Sequence, residues 1–419
     1  MNLLYTAFDV FPLPKGASTH IAHSVATLRK RFETLHLVVL GGGDMPAYQE
    51  EGNVLIHRWM KSHPNFLRRT EDFGAFLSDL LSEMPRIPEI IHFRDIWSGI
   101  PILAHPRTRK SRMIFEVNGL PSVELPYRYP ETLRNSVLMA KIRSMENHCL
   151  DSAHGIITVS EVNKRCLISR GTSPEKISVI PNTVESVTPN AETGKPPAAN
   201  MILYVGTFSP WQGLPVLLKA CAMLPNPGQR KLMIVGSTKK HFRPVRKLVR
   251  KLDIASFTEL KIGLPHRKVQ RLFREAALSV APLTRCSRNE IQGCSPFKLI
   301  ESMNAGTPVI ASRLPVCSEI IEHGRDGWLV GPDSPRALAL AMEKLLNDPD
   351  RLAYLGKNAK IRISECFVFD LWERRVFKFY DNVQQKGGLE NGASTDENHS
   401  WRDHESQENF RTEAAGRMA

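Results

Sequence analysis

The sequence predicts an α/β protein made of two doubly wound, Rossmann-like domains that face each other across a cleft. Three observations lead there. Short, continuous apolar runs alternate with helical patterns, as expected of parallel sheets covered on both faces. The alternation occurs twice, on either side of a stretch rich in Pro, Ala and polar residues. The 419 residues also exceed the size at which a single core keeps growing. No fixed short period points to a solenoid.

In the first half, Leu3–Phe8 reads as a strand, and the turn Pro12–Ser18 leads into a helix near His20–Arg31. Leu35–Leu40, Val54–Arg58, Ile90–Phe93, Met113–Glu116 and Gly155–Val159 read as further strands, with helical patterns over Phe66–Ser82 and Leu133–Leu150. This domain should span 1–187, followed by a linker over 188–200. The second domain, 201–369, repeats the pattern. Ile202–Gly206, Leu232–Val235, Glu259–Ile262 and Ser279–Pro282 are its first strands, with helices over Leu214–Leu224, Lys239–Lys251, Arg267–Ala276 and Pro335–Leu346. A C-terminal helix, 370–386, should cross back to the first domain, and the polar segment 387–419 reads as disordered.

Charge and cysteine usage narrow the function. The net charge of +13 is uneven, about +3 over 1–190, about +14 over 191–386 and about −4 beyond. The densest basic run, Lys239–Lys251, carries Val245, Leu248, Val249 and Leu252 on one side and Arg243, Arg246, Lys247, Arg250 and Lys251 on the other. Such a helix suits a solvated face or an anionic membrane surface. No nucleic-acid-binding pattern accompanies it. Seven scattered cysteines without a Cys-x-x-Cys pair indicate reduced thiols, with neither a disulfide framework nor a zinc site. No apolar run reaches membrane-spanning length, and the N-terminus lacks signal-peptide features, so a cytoplasmic location is expected.

The chemistry is expected at Gln292–Ser312. A loop of small residues runs into a short helix with Pro296 near its first turn, Gly306 ends it, and a buried strand, Pro308–Ala311, follows. A helix N-terminus after such a loop suits a phosphate. Lys298 lies in the first turn, where it opposes the helix dipole but offsets a bound anion, and Glu301 lies one turn on. The glycine loop at Gly16 also follows a strand end, so both loops can line a cleft at the carboxyl edges of the sheets. Neither is a G-x-G-x-x-G or Walker loop.

These features resemble the GT-B glycosyltransferases of family 4, which use nucleotide-sugar donors and retain anomeric configuration. Pro14–His20 is similar to the family's N-terminal glycine loop and His-bearing helix. Glu146–Ser160, Val179–Glu185 (Val-Ile-Pro-Asn-Thr-Val-Glu) and Tyr204-Val205-Gly206 with Gly213 follow in the family's order. Glu301–Ala311 (Glu-Ser-Met-Asn-Ala-Gly-Thr-Pro-Val-Ile-Ala) resembles its most specific block. The likeness covers most of residues 1–385.

The resemblance implies roles only where residues match. Glu301 falls at the second Glu of the family's E-x7-E motif, which accepts hydrogen bonds from the donor ribose; a carboxylate can accept from two adjacent hydroxyls. Gly16 and Gly206 fall on the loops near the donor phosphate, and His20 on the cleft. Four polar positions depart from the pattern. The first Glu of the motif falls at Gly293, the phosphate-binding Arg and Lys at Thr207 and Gln212, and the sugar-contacting His at Asn118. The pattern Trp211-Gln212-Gly213 with Ser295-Pro296-Phe297-Lys298 looks like a variant branch of the family. In that branch Lys298, with Arg285 or Arg288, is expected to replace the missing pair, aided by the loop at Cys294 and Ser295. Asn118 and Lys298 are then the catalytic candidates, with Asn118-Gly119 reading equally as a turn.

The implied reaction moves a sugar from a nucleotide diphosphate sugar to a glycan, lipid-linked or small-molecule acceptor with retention. The developing diphosphate charge must be stabilised and the acceptor hydroxyl held on the same face. No metal or resident cofactor is expected. The partners would be the donor, the acceptor and, through the basic helix, a membrane surface, but not nucleic acid. A sugar-nucleotide epimerase and a nucleotide-sugar-binding scaffold that has lost catalysis are the alternatives.

Overall fold

The computed structural model describes residues 1–13, 16–61, 63–185, 198–225, 229–236 and 242–390. The first unit runs β1 (Asn2–Val10), α1 (Gly16–Leu28), β2 (Thr34–Leu40), β3 (Tyr48–Glu51), β4 (Val54–Trp59), α2 (Phe66–Glu83), β5 (Ile90–Phe93), α3 (Ile96–Ala104), β6 (Arg112–Val117), α4 (Pro121–Arg128), α5 (Ser136–Ser152), β7 (Gly155–Thr158), α6 (Glu161–Ser169) and β8 (Ile177–Val179). Its strands form one sheet in the order β3-β4-β2-β1-β5-β6-β7-β8. Every pairing is parallel except β3 with β4. The central strands are buried along their length, β5 at all four residues, which is why they read as apolar runs without alternation.

The second unit runs β9 (Ala198–Gly206), α7 (Leu214–Cys221), β10 (Lys231–Gly236), α8 (Phe242–Lys251), β11 (Thr258–Ile262), α9 (His266–Glu275), β12 (Ala276–Ala281), α10 (Phe297–Asn304), β13 (Val309–Ser312), α11 (Pro315–Ser318), β14 (Trp328–Val330), α12 (Pro335–Leu346), α13 (Pro349–Cys366) and α14 (Phe369–Glu390). Its sheet is wholly parallel, in the order β11-β10-β9-β12-β13-β14. On α8, Val245 and Val249 are buried while Arg243, Arg246, Lys247, Arg250 and Lys251 are exposed, so the helix lays a narrow apolar stripe on the sheet.

Helix α14 follows the second unit in sequence yet packs on the first. Trp372, Val376, Phe379, Tyr380 and Val383 join the core of Leu3, Tyr5, Ile21 and Phe32. Lys30–Glu373 and Arg31–Asp381 ion pairs, each 2.7 Å, flank that seam.

Some expectations need correcting. Ala198–Asn200, read as the end of a linker, already belong to β9, because Ala198 pairs with Ala276 and the Asn200 amide bonds Gln229 O; the rest of the linker, 188–197, lies outside the described residues. The helix continues over 387–390 before 391–419, which also lie outside them. The basic helix is described only from Phe242. Among the described residues no helix is long and apolar enough to cross a membrane.

Candidate functional site

The C-terminal edge of β12 delivers the chain into a loop, a π-helical turn (Arg288–Gln292) and then α10. Pro296 precedes α10 and supplies no side-chain cap, so the helix N-terminus keeps donors to offer. Gly306, at φ +75°, stops the helix. Lys298, in the first turn, donates to Gln212 Oε1 at 2.5 Å and lies 4.5 Å from the centre of the Tyr204 ring. A Cβ on Gly206 would come within 2.8 Å of the Lys298 Nζ. Burial pushes the Lys298 ammonium down to about 7. The Glu301 side chain is 18% exposed, with His266 Nδ1 at 3.7 Å from Oε1. Burial pushes its carboxyl up to about 7, against the pull of Lys298.

The loop after β9 closes over this pair. Thr207 donates its hydroxyl to Ser209 Oγ at 3.1 Å and its backbone oxygen accepts from Tyr204 at 2.7 Å. Gly213 precedes α7 at φ +69°, and a Cβ there would lie 1.6 Å from Pro282 O, so only glycine fits. Trp211 carries Arg288 above its ring, at 5.3 Å, and receives the Tyr127 ring of α4 at 5.6 Å. Arg288 Nε bonds Glu124 Oε1 at 2.9 Å across the cleft, and Cys294 is buried beside Arg288, its thiol pushed up by burial. Arg285 stays outside this group. It is 66% exposed, faces Glu290 at 3.6 Å, and gives its backbone N–H to Asp333.

The first unit contributes a buried carboxylate, Glu116, at the end of β6. It accepts from His20 Nε2 at 2.7 Å, Arg94 Nε at 3.2 Å, Tyr5 Oη at 3.2 Å and Asn118 Nδ2 at 2.5 Å. His92 Nε2 lies 3.3 Å away. Burial alone would raise this carboxyl, but the charges of His20 and Arg94 hold it well below the usual carboxylate range. His20 Nδ1 meets Asn182 Oδ1 at 3.0 Å, and the Asn182 amide bonds Ser295 O at 2.8 Å. Ser295 of the donor-side loop is thus tied to the histidine helix through one asparagine. Gly16 begins α1 opposite Phe297, which lies 3.4 Å from where its Cβ would be.

Gly293 sits where the two units touch. Its φ is +87°, and a Cβ would fall 2.6 Å from Asn163 N and 2.7 Å from Ser160 Oγ, at the start of α6. Around it, Gln292 accepts from Leu120 N at 2.9 Å and donates to Glu124 at 2.9 Å, while Glu319 takes the α6 amides of Glu161 and Val162 at 3.0 and 2.8 Å.

The structure therefore gathers Lys298, Glu301, Gly206, Thr207, Gln212, Gly213, Arg288, Cys294 and Ser295 around one loop system, and Gly16, His20 and Asn118 on the facing wall. Sequence reasoning missed Glu116, Arg94 and Glu124 as parts of it, and gave no role to Gln292 and Asn182 although both lie in stretches that it singled out. For Glu116 a signal existed, since a carboxylate inside the apolar run Met113–Val117 must be paired to be buried. Among the described residues no group of three or more His, Cys, Asp and Glu side chains is placed to hold a metal ion.

Comparison with known proteins fits this architecture. Residues 14–186 match the family described as Glycosyltransferase Family 4, and residues 189–362 match Glycosyl transferases group 1. A D-inositol 3-phosphate glycosyltransferase of Thermobispora bispora is 31% identical over 202 residues, 46% of this chain and 45% of that one. The chain spans less than half the length of the first curated relatives it matches, 45% and 39%. Sucrose-phosphate synthase from Thermosynechococcus elongatus superposes with a TM-score of 0.76 at 18% identity, over 92% of this chain and 99% of that one. Anabaena HepE in complex with UDP-glucose gives 0.70 at 17% identity, over 91% and 100%. The two family matches lie end to end over most of the sequence, and the chain belongs to the family 4 glycosyltransferases, with their GT-B fold.

Proposed function

We propose that the protein transfers a sugar from a nucleotide diphosphate sugar to a glycan, lipid-linked or small-molecule hydroxyl, with retention of configuration. One observation carries the reading: Lys298 and Glu301 stand one turn apart at an uncapped helix N-terminus facing the cleft, both drawn toward neutrality by burial. A bound donor completes both groups. The diphosphate supplies the anion that Lys298 and the α10 amides lack. The ribose supplies two hydroxyls for the Glu301 carboxylate.

In the reaction the bond from the anomeric carbon to the diphosphate breaks as the acceptor oxygen bonds to the same face, and the acceptor proton passes to the departing phosphate oxygen. With Gly293 in place of a carboxylate, this front-face course needs no protein nucleophile. Lys298, with Arg288 behind it, offsets the leaving charge, which is the work a metal does elsewhere; activity should therefore survive EDTA. The cytoplasm suits seven unpaired thiols. The exposed cations of α8 support peripheral contact with an anionic membrane.

The test is a panel of UDP-, GDP- and ADP-sugars, scored for binding and for slow donor hydrolysis. Turnover by one donor is the expected result. Tight binding without turnover, with or without acceptors, would instead favour a scaffold, a reading to which the loss of the carboxylate at Gly293 lends support.

A further inference from the structure

Asn118 follows β6 half-buried, and the backbone two residues further on, at Leu120, is bonded by Gln292 of the other unit. Its amide can be oriented from chemistry. The atom 2.5 Å from Glu116 Oε1 must be the NH2 nitrogen, because an ionised carboxylate only accepts hydrogen bonds. That leaves Oδ1 with no hydrogen-bond partner among the described residues, at a residue that is not fully buried. Glu116 itself cannot turn away. Tyr5 of β1, His20 of α1 and Arg94 of the turn after β5 hold it, and the His92 that flanks it is itself bonded to Tyr380 at 2.7 Å.

We propose that Glu116 is a positioning residue that locks the Asn118 carbonyl toward the cleft, so that this wall of the site accepts a hydroxyl of the donor sugar and rejects a carboxylate. The inference rests on the nucleotide-sugar reading above and adds a substrate class to it: neutral hexose donors over uronic acid donors. A sugar hydroxyl can donate to Oδ1. A sugar carboxylate brings two acceptor oxygens against an acceptor and has no proton to offer it. Rotating the amide to offer NH2 instead would break its bond to Glu116.

The experiment compares UDP, UDP-glucose and UDP-glucuronic acid, with GDP, GDP-mannose and GDP-mannuronic acid in parallel, on the full chain by calorimetry. Wild type should favour the hexose of the pair it binds by about tenfold or more. Glu116→Gln, whose own amide can pair with either end of Asn118, should shrink that preference to within about threefold while leaving affinity for the free nucleotide diphosphate unchanged. Asn118→Ala should do the same while leaving Glu116 its bonds to Tyr5, His20 and Arg94, and keeps the test valid if Glu116→Gln fails to fold. Equal affinity of wild type for both members of a pair would overturn the proposal, as would a preference that persists in Asn118→Ala. Failure to bind any nucleotide diphosphate would instead overturn the donor reading, and this inference with it.

Discussion

Replacing Lys298 with Ala separates the two halves of donor recognition. The ammonium now rests on Gln212 and the Tyr204 ring, with no carboxylate within ion-pair distance among the described residues. A charge-assisted hydrogen bond to phosphate is worth about 1.5–3 kcal/mol, so nucleoside diphosphate affinity should fall by about 10- to 150-fold. Nucleoside affinity, which the proposed function assigns to Glu301, should barely move. The pH dependence gives a second reading. Lys298 loses its proton near 7 in the free protein, so above that pH a diphosphate must recruit a proton in order to bind. Its advantage over the nucleoside should shrink by up to about tenfold per unit until the bound lysine itself titrates. Glu301 runs the other way, ionising as pH rises through about 7, so nucleoside binding should strengthen from pH 6 to 8. Calorimetry with UDP and uridine, or the GDP or ADP pair, measures both. Equal losses for nucleotide and nucleoside in the variant, or a gap between them that ignores pH in wild type, would refute the assignment.

Three other variants test the framework. Arg170→Ala strips the fully buried Glu146 of a partner at 2.7 Å and should cost about 3–5 kcal/mol in chemical denaturation. Gly213→Ala combines a left-handed φ with overlap against Pro282 O and should lose more than the roughly 1–2 kcal/mol of conformation alone, read as a lowered Tm. Gly293→Glu should force α6 away from the loop and widen the cleft, visible as a larger radius of gyration in solution scattering; an unchanged radius would show that the contact at Ser160 and Asn163 yields cheaply.

Much of the fold was legible because both sheets are parallel and covered. Ile90–Phe93 and Pro335–Leu346 were read with their observed bounds, since length and pattern there agree with burial. The misses share physical causes. Strand β3, Tyr-Gln-Glu-Glu, is a polar, largely exposed antiparallel edge whose only claim to be a strand is its pairing with β4. Helix α3 contains Gly99 and Pro101, and α4 contains Pro126, so propensity argued against helices that side-chain capping by Asp95 and tertiary packing sustain. In the cleft, motif order pointed to Lys298 and Glu301, although the Gln212 that holds the lysine lies 86 residues away. The long-range partners of Glu116 and Glu124, up to 168 residues away, leave no local pattern from which to read them.

That separation changes how the missing positive charge is to be understood. Three cations stood out as substitutes for the residues replaced by Thr207 and Gln212, but they are not equivalent. Arg285 faces Glu290 on the surface, and Arg288 is held by Glu124 from the opposite unit. Lys298 donates to the neutral amide of Gln212 and, among the described residues, is paired with no carboxylate. A diphosphate can engage Lys298 by displacing an amide, whereas engaging Arg288 requires it to outcompete a carboxylate that also holds Gln292. Recruiting Arg288 thus loosens α4 from the loop at Arg288–Gln292, and donor binding becomes coupled to the contact between the two units. Glu124→Gln should therefore tighten nucleotide diphosphate binding by freeing Arg288, by up to the roughly tenfold expected of one charge-assisted contact. A weaker or unchanged affinity in that variant would mean that Arg288 serves the closed interface alone and that Lys298 carries the leaving-group charge without it.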